Sequence, residues 1–308
     1  MQIEPDNDTE KVEELYTKSP EEDADQSEDP TGLGCPRSIS IGPNFEIHYT
    51  YFVVAVISVI YSYATYRSTR YSLCYLLSFG PILFITVLLH ELGIVLAAHH
   101  LGWSGSKIVI TPLGGQKTTP RPSPITHYRV LLVSLVGPLT FAIQMFIWWA
   151  TLKGFNFKLP IYITRAEYVA FGSWSNFWIM LGHFAFLINL TLMCFHLFLP
   201  VFPFDGAHIL FSLLQMKGDT AEKAGLNVAM TSLLSSLVVF IIGIHHTFTE
   251  GMQVLGFGLI LLALWVVKTS LRLSASSRNG NLKEHPIFYS EEGLEEEETD
   301  GYVNVESP

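Results

Sequence analysis

Six apolar runs, at residues 49–66, 76–98, 130–151, 178–199, 228–244 and 252–267, govern what this chain can become. A helix needs about 20 apolar residues to cross the ~30 Å hydrocarbon core of a bilayer, and these runs sit at or near that length. Inside lipid no water satisfies backbone N–H and C=O groups, so helices that bond internally are the economical solution. The expected fold is therefore all-α: a polytopic membrane helical bundle of about six spans. The fourth run continues past Pro200 and Pro203 into residues 207–216, which fits either its own lower half or a short re-entrant helix. After the second run, Lys107-Ile108-Val109-Ile110-Thr111 and the turn Pro112-Leu113-Gly114-Gly115 predict a small strand hairpin. The proline-spaced residues 120–124 then read as a linker. No connection is long enough to hold an inserted soluble domain of the usual ~100 residues.

The formal charge of −10 belongs to the ends of the chain. Of 28 acids, 12 precede Thr31 and 9 follow Asn281, so the middle is acid-poor while its Lys and Arg are spread over short loops. Three parts are expected: a disordered acidic tail at 1–45, a membrane domain at 46–272, and a second disordered acidic tail at 273–308. Lys and Arg crowd the loops on one side of six spans, and the positive-inside rule then places both tails in the cytosol, with Arg67 and Arg70 running against the trend. The basic residues form no stripe on a soluble domain, which argues against a nucleic-acid partner. Cys35, Cys74 and Cys194 have no paired spacing, so neither a disulfide framework nor a cysteine zinc site is indicated.

Two acids stand alone among these apolar runs. Glu91 is the only acidic residue between Glu46 and Glu167, and Asp205 the only one between Glu167 and Asp219. Carboxylates at membrane depth are costly and mark functional sites by default. Glu91 follows His90, and Asp205 lies in Pro203-Phe204-Asp205-Gly206, where Pro and Gly break a helix. In a His-Glu-x-x-His helix the histidines at i and i+4 share a face and bind one zinc, while the glutamate serves as general base. Here the fifth position is Ile94.

His90-Glu91-Leu92-Gly93, then Pro112-Leu113-Gly114-Gly115, then Gly137-Pro138-Leu139, then Pro203-Phe204-Asp205-Gly206 resemble the site-2 protease family of intramembrane zinc metalloproteases in order and spacing. The resemblance implies zinc held by His90 and Asp205, water activated by Glu91, and hydrolysis of a peptide bond inside a substrate's transmembrane helix. It implies the lipid bilayer and the transmembrane helices of other membrane proteins as partners. Three polar positions of the pattern are apolar here: Ile94 for the second histidine, Phe141 for an asparagine after Gly-Pro-Leu, and Leu197 for the asparagine of Asn-x-x-Pro.

Other histidines are candidates to complete the metal set. His99 and His100 lie about 13–15 Å beyond His90 along a helix, too far to share its ion. His208, three residues after Asp205, is the preferred candidate for a third ligand. His196 neighbours the lost asparagine position, but a one-residue offset on a helix turns it about 100° away. His183, His196 and His245 read more simply as hydrogen-bonded packing residues than as ligands. Two functions of different class stay open: a zinc endopeptidase of membrane proteins, and an inactive relative that binds, regulates or escorts them.

Overall fold

The structure, a computed structural model, describes residues 38–42, 45–103, 107–118, 126–154, 174–202, 204–249 and 253–282. The acidic stretches 1–37 and 283–308 and the linker at 120–124 lie outside these residues. Helices follow the apolar runs: α1 (Thr50–Tyr66), α2 (Thr69–Leu77), α3 (Leu83–His100), α4 (His127–Gly154), α5 (Trp174–Phe198), α6 (Asp205–Met216), α7 (Ala221–Thr247) and α8 (Gln253–Asn279). A π-helical turn, Ser78–Ile82, joins α2 to α3 into one 32-residue span. Five helical spans among the described residues are long and apolar enough to cross a membrane; α1, at 17 residues, is shorter. The protein is an integral membrane protein built on a helical bundle.

Breaks in these helices occur where side chains can satisfy the freed backbone. Pro81 lacks an N–H and Gly80 leaves helical geometry at φ −95°, ψ −106°, which kinks the span just before His90. The Tyr51 hydroxyl on α1 donates to the Gly80 carbonyl at this kink. A second break separates α5 from α6. There the Ser232 hydroxyl on α7 donates to Pro200 O at 2.8 Å, and the Thr269 hydroxyl on α8 lies 3.2 Å from Phe202 O. Irregular backbone at membrane depth is tolerated where it is buried in protein in this way or lines a watery cavity. At 12 residues α6 is about 18 Å long, so it cannot span on its own and is a separate short helix after the break.

The predicted hairpin forms from β3 (Lys107–Thr111) and β4 (Gly114–Thr118). It belongs to a larger sheet, order β1-β2-β3-β4, whose first strands are β1 (Ser38–Gly42) and β2 (Phe45–His48). β2 runs parallel to β3, with Phe45 opposite Ile108 and Ile47 opposite Ile110. The expected tail at 1–45 is thus too long, because its last residues pair into this sheet. The other boundary moves too: α8 passes residue 272 to reach Asn279, and Leu282 packs in a core with Phe211, Val228 and Leu273.

Two cores flank the functional centre. Ile47, Tyr51, Val87, Ile110, Phe141 and Leu192 tie the sheet to α1, α3, α4 and α5. The second core joins α6, α7 and α8. Polar side chains link three of the helices: Gln144 Nε2 on α4 donates to Thr86 O on α3 at 3.3 Å, and Asn189 Nδ2 donates within α5 to Ala185 O at 2.8 Å and lies 3.5 Å from the Thr86 hydroxyl. Bonds that run from one helix to another, as from Gln144 to Thr86, contribute about 0.6–2 kcal/mol each.

Candidate metal centre

Four helices and one turn deliver the site. α3 presents His90 and Glu91, both 1 % exposed. Asp205 is the first residue of α6, where its charge also suits the positive end of that helix. Gly206 makes this approach possible: a Cβ there would stand 2.5 Å from Leu199 O and 3.2 Å from His196 O. The start of α6 therefore rests on the backbone of the last turn of α5, and Asp205 meets His196.

His90 Nε2 lies 3.3 Å from Asp205 Oδ2 and 3.4 Å from Glu91 Oε1. His196 Nδ1 lies 2.8 Å from the same Asp205 Oδ2, and His196 Nε2 lies 2.8 Å from Leu113 O. The start of β4 reaches the site as well, since the Gly115 N–H donates to Glu91 Oε1 at 2.7 Å. Glycine is required at three contacts. At Gly137 a Cβ would stand 2.6 Å from both Asp205 Oδ2 and His90 Cε1. At Gly115 it would strike the Glu91 carboxylate, and at Gly114, where φ is +142°, it would stand 2.9 Å from His196 Cε1.

The chemistry of these contacts calls for a positive charge. A carbonyl only accepts, so the hydrogen bond to Leu113 places the proton of neutral His196 on Nε2. Its Nδ1 lone pair then faces a carboxylate oxygen at 2.8 Å, an arrangement that repels unless a cation lies between them. Either a proton on Nδ1 or a metal ion meets the need. Donor atoms of His90, His196 and Asp205 all lie within 4.8 Å of one another, and all three residues are buried. Ligand atoms about 2.1 Å from a tetrahedral zinc are ~3.4 Å apart; His90 Nε2 and Asp205 Oδ2 match this at 3.3 Å, whereas His196 Nδ1 and Asp205 Oδ2, at the hydrogen-bond distance of 2.8 Å, would have to part by about half an ångström to hold the ion. A histidine ligand also typically donates its second N–H to a carbonyl, as His196 does to Leu113. The residues fit a zinc ion.

The sequence-derived candidates divide accordingly. His90, Glu91 and Asp205 come together. His208 is not in the cluster of His90, His196 and Asp205: its ring stands edge-on to Phe202 at 5.9 Å, one turn along α6. His196 does join them, and the reason lies in the helix break. α5 stops at Phe198, so the face that meets Asp205 is set by the returning chain and includes position 196 instead of 197. A histidine nine residues before Asp205, across a proline-rich break, was the available signal. Ile94, 4 % exposed, does face the site, with its Cδ1 2.8 Å from where a Gly137 Cβ would be. Phe141 stacks flat on His90, ring centres 4.3 Å apart at 8°. His99 and His100 end α3 with their rings 6.5 Å apart, exposed and outside the cluster.

Neither the comparison with protein-family models nor that with curated proteins returns a match. Among solved structures, the chain is similar to the site-2 protease from Methanocaldococcus jannaschii, at 22 % identity and a TM-score of 0.51, over 77 % of this chain and 94 % of that one. The likeness is one of fold: a site-2-protease-like membrane bundle.

Proposed function

We propose that the protein is an intramembrane metallopeptidase that cuts a peptide bond within a transmembrane segment of another membrane protein. The observation that carries this reading is the convergence of His90, His196 and Asp205 beside Glu91 in a buried site. His90, His196 and Asp205 are the metal ligands in this reading. A zinc ion bound there would act as a Lewis acid towards water and the scissile carbonyl. Glu91 takes a proton from the attacking water as its oxygen bonds to the carbonyl carbon. It then delivers that proton to the amide nitrogen as the C–N bond breaks. The Gly115 N–H keeps one Glu91 oxygen fixed while this happens. Leu113 O keeps His196 in the tautomer that aims Nδ1 at Asp205.

A second reading has its own observation. Ile94 and Phe141 put apolar groups against His90, and a proton can take the place of the metal between His196 and Asp205. In that case the fold binds transmembrane helices without cutting them. Reconstitution in proteoliposomes with a transmembrane reporter decides between the two. The peptidase reading expects cleavage that stops on chelation and in Glu91→Gln; a metal-free parent that retains the reporter uncut supports the binding reading.

A further inference from the structure

The corner between α1 and α2 takes no part in the metal centre, yet it carries the two charges that run against the Lys and Arg asymmetry of the sequence. Arg67 ends α1 in the left-handed region at φ 51°, the only non-glycine residue among the described ones with positive φ. A cavity of about 380 Å³ opens beside it. Arg67, Ser68, Thr69 and Arg70 line one part of it, and Tyr71, Phe177 and Met180 line the rest. The polar residues are exposed or half-buried and the three apolar ones are buried, so the lining passes from charged to apolar with depth.

Its level in the membrane is set by the spans that begin there, Thr69–His100 and Phe177–Phe198. Trp174 and Trp178, exposed at 54 % and 64 %, occupy the same end of α5, as aromatic residues at a membrane boundary do. The Arg70 guanidinium lies 5.2 Å from the Trp174 ring centre, which holds it at this level. Neither arginine has a carboxylate partner among the described residues, whose ion pairs all lie elsewhere. Two guanidiniums on the lining of one cavity offer forks of N–H donors that match phosphate oxygens. A lining that is cationic outside and apolar inside matches an anionic amphiphile better than a small soluble anion.

We propose that this corner binds the phosphate of an anionic phospholipid, held by Arg67 and Arg70, with Tyr71, Phe177 and Met180 receiving the start of its acyl chains. Native mass spectrometry of the full chain, released from nanodiscs of equal phosphatidylglycerol and phosphatidylcholine, tests this. The parent should retain phosphatidylglycerol in preference. A juxtamembrane Arg contributes about a five-fold preference, so the double variant Arg67→Ala/Arg70→Ala should lose on the order of 25-fold. Arg67→Lys/Arg70→Lys keeps the charge but not the fork, and should lie between the two. Equal retention of phosphatidylglycerol by the parent and the alanine double variant, with both folded by circular dichroism, overturns the proposal. Displacement of the lipid by millimolar inorganic phosphate would overturn the lipid assignment in favour of a soluble phosphate.

Discussion

Replacing Gly137 by alanine tests how tightly the centre is assembled. The added Cβ would stand 2.6 Å from Asp205 Oδ2, 2.6 Å from His90 Cε1 and 2.8 Å from Ile94 Cδ1, about 0.6–0.8 Å inside ordinary contact. None of the three can easily yield. Asp205 is held by His196, His90 is stacked on Phe141, and Ile94 is buried between α3 and α4. Either α4 withdraws or the ligands spread. Overpacking of this kind costs about 1–3 kcal/mol of stability. A ligand shift beyond ~0.5 Å exceeds the tolerance of a preorganised site, and disturbances of comparable size around metal sites cost about 10–100-fold in affinity. Zinc competition titration in detergent, with a thermal melt on the same samples, gives both numbers. Adding Ile94→Val removes one of the three clashes and should recover part of the melting temperature but little of the zinc affinity. Parent-like zinc affinity in Gly137→Ala would refute the claim that this glycine presses on His90 and Asp205.

Four further outcomes follow from the same geometry. Ile94 faces the centre, so Ile94→His should restore zinc binding to His196→Ala; in an otherwise parental chain it should tighten zinc yet lower turnover, by filling the position that catalytic zinc leaves open. His208→Ala should leave zinc content unchanged, since its ring packs on Phe202 outside the cluster; loss of zinc would reinstate it as a ligand. Ser232→Ala removes the donor to Pro200 O at the helix break and should lower stability by about 1 kcal/mol, read from a denaturation curve. If six spans cross, as the sequence expects, protease added to sealed vesicles from the cytosolic side should remove both termini; protection of one end alone would change the span count.

The helices were legible because a membrane span writes its length into the sequence as an apolar run, and all six runs correspond to helical segments. The boundaries were less so. β1 and β2 are only 5 and 4 residues long, and β2 finds its partner some sixty residues away in β3, a pairing that short-range patterning cannot reveal. The last turns of α8 carry charge and lie beyond the apolar run, but packing of Leu273 and Leu282 keeps them in the fold. In the candidate site, the isolation of Glu91 and Asp205 pointed directly to their meeting, because lone carboxylates at membrane depth need partners. His196 is hidden in the sequence because a one-residue offset from position 197 turns it about 100° round α5, and only the course of the chain returning into α6 fixes which face meets Asp205. His208 drew attention by its i+3 spacing from Asp205, whereas the carboxylate at the first residue of α6 turns back towards α5.

Metal content is the most direct test of the central claim that His196 has taken over the coordination that Ile94 cannot provide. Protein purified without chelators, then given one equivalent of zinc and desalted, should hold about one zinc per chain by elemental analysis. Glu91→Gln should hold as much, and His196→Ala far less. A folded parent without zinc, or one whose zinc survives His196→Ala undiminished, would contradict it.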